Sequence, residues 1–376
     1  MAYTDYHGKF KDVRRQHNIL ALVGNGFDIQ ILSRLQSTMD TRYETFYYYL
    51  RSRKFDRNNH LMKVMEGEKR KGRNEWSDIE AAIEALLAGP TKLKDIEDAL
   101  DAIQVEFSTF LDSVVNPQLL TALSGEVRRQ KSTVTSLAGF IEDVVDGAAH
   151  GRMSILQRMN IGDLFNFRFV DFNYTPLLDN YIYLDKEQFD PHPYRQSDRN
   201  LDFRPNPHGF DHPIGFKGGI MVSYVVTEVV HPHGAQHTPR SILFGIDSSA
   251  AGNAKRLAKP YWAQNAVRHE SYFGETHLFI IFGCSLGNSD QWWWSNIADA
   301  LMNAGPALDN PDGLSPDLLL YWRRGSQDGG LMQEDILKKF AAGAGRAGDG
   351  RLMQVLRDRA YVILYDDATP RAWLNL

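Results

Sequence analysis

The sequence predicts an α/β protein: a doubly wound, mostly parallel sheet with a helical module inserted after the first strand–helix pair. Three observations carry this. Apolar runs of strand length recur along the chain, and the first ends in glycine. Helical patterns lie between several of these runs, and strands alternating with helices imply parallel pairing. Residues 74–159 show helical spacing throughout and no strand signal.

The first run, residues 18–23 (NILALV), stops at Gly24, as expected of a strand buried on both faces. Residues 29–51 then read as helical, with Tyr43, Phe46, Tyr47 and Leu50 three and four apart. In the insert, Trp76, Ile79, Ile83, Leu86 and Leu87 form one stripe. Ile96, Leu100, Ile103, Phe107, Phe110 and Leu111 form a second, and Leu137, Phe140, Ile141 and Val144 a third. Strand signals return at residues 167–172, 221–231, 241–246, 277–283, 316–322 and 359–365. Helical patterns occupy 251–269, 290–303 and 331–357, and the polar stretch 185–219 reads as a long loop or lid.

Of the 376 residues, 43% are hydrophobic and 24% charged, enough apolar material for an ordinary core. The net charge of −5 argues against a broad nucleic-acid footprint. The short basic runs at Lys69-Arg70-Lys71 and Arg128-Arg129-Gln130-Lys131 read as solvated helix faces. A single cysteine, Cys284, excludes an internal disulfide and a cysteine zinc site. Residues 1–17 are polar, and no apolar stretch approaches the ~20 residues of a membrane helix, so a cytoplasmic protein is expected.

Four strand-end segments carry the chemistry. Gly24-Asn25-Gly26-Phe27-Asp28 is a glycine turn leading into a helix, suited to an anion at the helix N-terminus, though it lacks the third glycine of G-x-G-x-x-G. Phe172-Asn173-Tyr174-Thr175-Pro176 ends an apolar strand, where Asn173 can address a ribose or a water and where Asn173 or Thr175 can equally cap the next helix. His231-Pro232-His233-Gly234 places histidines where a general base is useful. His231 and His233, with His237 near, invite a metal reading; without H-E-x-x-H, a paired aspartate cluster or a cysteine ligand, no metal is expected. In the last segment, 282–290 (FGCSLGNSD), Gly283 and Ser285 line a nucleotide, Asp290 caps the following helix and Cys284 is a packing residue. Of Trp292, Trp293 and Trp294, at most two can share the core face of a helix.

Taken in order, LALVGNGFDI at 20–29, Trp76-Ser77-Asp78-Ile79-Glu80, FNYT at 172–175, HPHG at 231–234 with Ile242 to Asp247 after it, and FGCSLGNSD at 282–290 resemble the AbiH family of bacterial phage abortive-infection proteins. That family is similar to the sirtuin-like group of NAD-binding folds, several of whose bacterial members destroy NAD on infection. The resemblance implies one Rossmann-like, sirtuin-like domain over 1–376, with 74–159 as its inserted helical subdomain. It implies Asn173 and His233 as catalytic residues; Asp28, which the sirtuin-like turn lacks, is a carboxylate that binds a ribose hydroxyl, caps the helix or joins them in catalysis. Gly24, Asn25, Gly26, Phe27, Thr175, His231, Gly234, Gly283, Ser285 and Asp290 would contact the nucleotide. NAD is then the substrate and no cofactor is required. The four-cysteine zinc module of sirtuin deacetylases is absent, which argues against protein deacetylation.

The expected function is therefore an antiphage effector that hydrolyses the glycosidic bond of NAD or a related nucleotide. The alternatives are a nuclease or nucleotide-processing enzyme acting on RNA or DNA, and a non-catalytic nucleotide-binding sensor. Expected partners are the nucleotide, a phage-derived trigger or a co-encoded defence protein, and further copies of the chain. No membrane partner is expected.

Overall fold

Among the described residues the apolar runs become a seven-stranded sheet in which every pairing is parallel. The strands are β1 (Gln16–Val23), β2 (Leu164–Asp171), β3 (Asp202–Arg204), β4 (Val222–Val230), β5 (Leu278–Phe282), β6 (Asp317–Arg323) and β7 (Ala360–Tyr365). In this computed structural model the described residues are 3–10, 13–160, 162–189, 202–204, 222–304, 315–325, 330–366, 368–369 and 371–376. The strand order is β3-β4-β2-β1-β5-β6-β7. Leaving aside β3 at the edge, this is the order of doubly wound dinucleotide-binding sheets, with the chain changing direction between β1 and β5. Strands β1, β2 and β5 are buried almost throughout, because helices cover both sheet faces.

The inserted module is helical, as its spacing predicts. Its main helices are Ile79–Leu87, Leu93–Val114, Pro117–Gln130 and Ser132–Ala138. Ile96, Ile103, Phe107, Phe110 and Leu111 are all buried, so the predicted stripe is the packed one. Phe107 meets Phe46 edge-on at 4.9 Å, which fixes the module against the segment after β1. These side chains form one apolar cluster with Ile19, Ala21 and Val23 of β1.

Several expectations need correction. The helical stretch 29–51 is two helices, Gly26–Arg34 and Tyr43–Ser52, because Gln36 takes a left-handed φ of 56° and stops the first. The strand expected at 241–246 is not formed. Leu243 N–H donates to the His233 carbonyl at 2.8 Å instead of to a ladder, and only Ile246 makes an isolated bridge, to Ala258. Its apolar residues Ile242, Phe244 and Ile246 are buried under the helical module, so burial rather than strand pairing explains them. The stretch 251–269 breaks into short turns, among them Lys259–Trp262 and Asn265–Arg268, and 331–357 into Gln333–Gly343 and Gly350–Arg359. Within 185–219, Lys186–Phe189 is helical and Asp202–Arg204 pairs with β4. Residues 190–201 and 205–219 of that stretch, including His192, His208 and His212, lie outside the described residues. Among the described residues no helix is long and apolar enough to cross a membrane.

The sheet's amino end carries a pH-dependent contact. His277 Nδ1 accepts the Asn18 N–H at 3.0 Å, which requires an unprotonated nitrogen. Burial, helped by the neighbouring His17, lowers this imidazole's pKa to about 4. In the unfolded chain it takes up its proton near 6.5, so the folded state binds fewer protons between these limits and loses stability as pH falls through them. Urea midpoints measured at pH 7.5 and pH 5 are expected to fall on acidification, and His277→Gln is expected to reduce the slope.

Candidate active site

Register brings the four strand-end segments together. Val23 pairs with both Asp171 and Phe282, and Val170 pairs with Val230. The residues just beyond, Gly24, Phe172-Asn173, His231 and Gly283, therefore leave the sheet along one edge. This is the carboxyl end, flanking the β1–β5 switch point where doubly wound sheets bind ligands.

The glycines there are first a packing device. A Cβ on Gly24 would lie 2.7 Å from the Gly283 carbonyl oxygen, and one on Gly26 would lie 2.7 Å from the Gly283 Cα. The two loops also exchange backbone bonds: Gly24 N–H to Phe282 O at 2.9 Å and Gly26 N–H to Gly283 O at 3.0 Å. Phe27 N–H is taken by Gly24 O, and its buried ring packs edge-on to Tyr181. Asn25 turns its amide to the Thr41 carbonyl at 3.3 Å. Gly234, at φ 89°, has its Cβ position filled by the Ser241 carbonyl, so only glycine fits. Ser285 is exposed at the rim of this edge. Cys284 is half-buried, and burial pushes its thiol well above the ordinary range, which removes its nucleophilic character.

Asn173 ties the edge together. Its N–H donates to Asp171 Oδ1 at 2.9 Å, its side-chain amide to Gly24 O at 3.2 Å, and its carbonyl lies 3.4 Å from His231 Nδ1. On one side of it lies an acidic group. Asp28 accepts from Thr175 Oγ1 at 2.7 Å, and Asp171 and Asp28 are both fully buried. His231 Nε2 stands 3.0 Å from Asp179, and Nδ1 stands 3.9 Å from Asp171 Oδ2. Burial raises the carboxyl pKa of both Asp28 and Asp171. For His231 burial works the other way, but the bond to Asp179 and the charge of Asp171 outweigh it and raise the imidazole to about 9.

On the other side lies a buried ion network. His233 Nε2 is 3.1 Å from Asp290 Oδ1, and its ring stacks on Phe172 at 5.1 Å. Phe172 is in turn held edge-on by Trp293 and Trp294, both buried, so two tryptophans of the run do share the core face. Asp290 makes no side-chain cap to the helix Gln291–Asn303, because its carboxylate faces His233. Lys259 Nζ pairs with Glu80 Oε1 at 2.8 Å, and Tyr43 OH donates to the same oxygen at 3.2 Å. Burial would raise the Asp290 carboxyl, but Lys259 and then His233 override it and hold it at about 2. Burial likewise works against the Lys259 ammonium, but Glu80 and Asp290 keep its pKa above the ordinary lysine value.

The structure thus separates residues that the sequence reading placed in one catalytic group. Asp28 joins His231, whereas His233 joins Asp290, and Asn173 stands between them. Asp171, Asp179, Lys259 and Glu80 were not anticipated. An aspartate within the apolar run FRFVDF is a usable signal for Asp171, and Glu80 lies in the segment 76–80. Nothing in the local sequence marks Lys259. Chemically, an ionised aspartate bonded to a histidine is a base held in one orientation and stabilised when it takes a proton.

No curated protein matches this chain. Residues 20–306, well over half of it, match the family described as Bacteriophage abortive infection AbiH. That span contains all four strand-end segments and both charged groups around Asn173. By that match the chain belongs to the AbiH family, whose role is abortive-infection defence against bacteriophage.

Proposed function

We propose that this AbiH protein hydrolyses the N-glycosidic bond of NAD or a related nucleotide. The observation that carries the reading is the Asp290–His233 pair beside Asn173, at the carboxyl edge of a sheet with dinucleotide-binding strand order. The exposed Ser285 and the partly exposed Asp290 side chain mark the side open to solvent. When the glycosidic bond breaks, nicotinamide leaves with the bonding pair and the ribose carbon becomes cationic. A water adds to that carbon, and His233 accepts the water's proton while Asp290 stabilises the imidazolium. Asn173 orients the water or a ribose hydroxyl, and Asp28 lends negative potential from the far side of the same loop. The resemblance to sirtuin-like NAD-consuming folds supports the choice of substrate.

In this reading the protein acts in the cytoplasm and responds to a phage-derived trigger or a co-encoded partner, as a homo-oligomer. The test is nicotinamide release from NAD by purified protein, with and without lysate from phage-infected cells. Release above a His233→Ala control is expected. Absence of release under both conditions, together with an unchanged NAD pool in infected cells carrying the protein, would sink the reading.

A further inference from the structure

On the acidic side of Asn173 the glycosidic reading uses only Asp28 and leaves Asp171, Asp179 and His231 without a role. We propose that Asp171, Asp179 and His231 bind one divalent transition-metal cation. One donor atom from each of the three lies within 4.8 Å of the other two. The His231 Nε2 to Asp179 spacing of 3.0 Å is about that of two ligands at right angles on one ion with bonds of about 2.1 Å.

A second observation points into the same place. Asp171 is wholly buried, and its Oδ2 has no hydrogen-bond partner among the described residues; it stands 3.9 Å from Nδ1 of the same imidazole whose Nε2 meets Asp179. Asp28 Oδ1 is likewise buried without a partner. Buried carboxylate oxygens ordinarily find donors, so the orphaned oxygen of Asp171, a member of the group, points to a cation there.

Two further features fit a metal site. The Asn173 carbonyl, 3.4 Å from Nδ1, orients the ring in the manner of a second-shell partner. Asp179 also lines a surface cavity of about 310 Å³ with Pro176 and Asn180, so this ligand borders solvent. Mixed imidazole and carboxylate donors select first-row divalent ions such as Mn²⁺ or Zn²⁺.

The competing account is a plain ion triad, with a charged His231 held between Asp171 and Asp179. Calorimetric titration of chelator-stripped full-length protein with MnCl₂ and with ZnCl₂ separates the two. No nucleotide is present, so the outcome is independent of the glycosidic reading. One ion per chain is expected, with affinity weakened more than about tenfold in His231→Gln and in Asp179→Asn, beyond the least effect typical of losing a second-shell partner. Asp179 is 42% exposed, so its variant preserves the fold, which circular dichroism checks. Loss of the site in either folded variant supports the proposal. No binding by the wild-type chain, or equal affinity in all three proteins, overturns it.

Discussion

Replacing His233 with alanine is expected to lower nicotinamide release from NAD by roughly two to four orders of magnitude, the usual contribution of a positioned general base. The loss should fall on kcat, with KM little changed, because the ring is needed when the water's proton moves. Asp290→Asn tests the same pair from the other side. It keeps size and shape but removes the charge that stabilises the protonated ring, so a large loss with an unchanged circular dichroism spectrum is expected. A His233→Ala protein that retains wild-type kcat would remove the histidine from the mechanism. Since the ring also stacks on Phe172, a thermal melt of each variant separates lost chemistry from lost packing.

Lys259→Met is expected to destabilise the fold by about 3–5 kcal/mol, the range seen when one member of a buried ion pair is removed. The methionine fills the volume, but Glu80 and Asp290 then lose their cation. Glu80 is only 8% exposed and cannot recover that loss from water. Adding Glu80→Gln to Lys259→Met should restore a substantial part of the stability, because the stranded charge is gone. Urea unfolding of both single variants and the double variant measures this as a coupling energy. Additive effects would show that the pair does not act as a unit. Lys259 also helps hold Asp290 ionised, so the single variant should lose activity beyond its loss of folded protein.

The two predictions rest on features that differ in how legible they are. His233 and Asp290 stand in segments that announce themselves, since polar residues directly after apolar runs mark the ends of buried strands. Their mutual bond is not announced. Asp290 reads as a helix cap, and only the position of the β4 loop over the β5 loop redirects its carboxylate to His233. Lys259 and Glu80 lie far apart in sequence and meet only because the inserted helices fold back over the sheet edge. The run 241–246 misled in the opposite sense. Its apolar residues satisfy the requirement for a strand, but the chain spends its backbone bonds on His233 and Leu257.

What the sequence by itself determined is the class of fold and the edge on which chemistry gathers. A strand buried on both faces must be an apolar run, and a chain leaving such a strand must turn, so glycine, asparagine and histidine collect at one edge. What only the tertiary structure decided is the grouping of those residues. Asp28 bonds Thr175 and feels the charge of His231 rather than His233, Asp171 enters the site from the last position of a strand, and Gly24, Gly26 and Gly283 serve first to let two loops touch. The physical reason is range. Strand and helix patterns are set by neighbours a few residues away, whereas a hydrogen bond or ion pair is set by a few ångströms between side chains far apart in the chain.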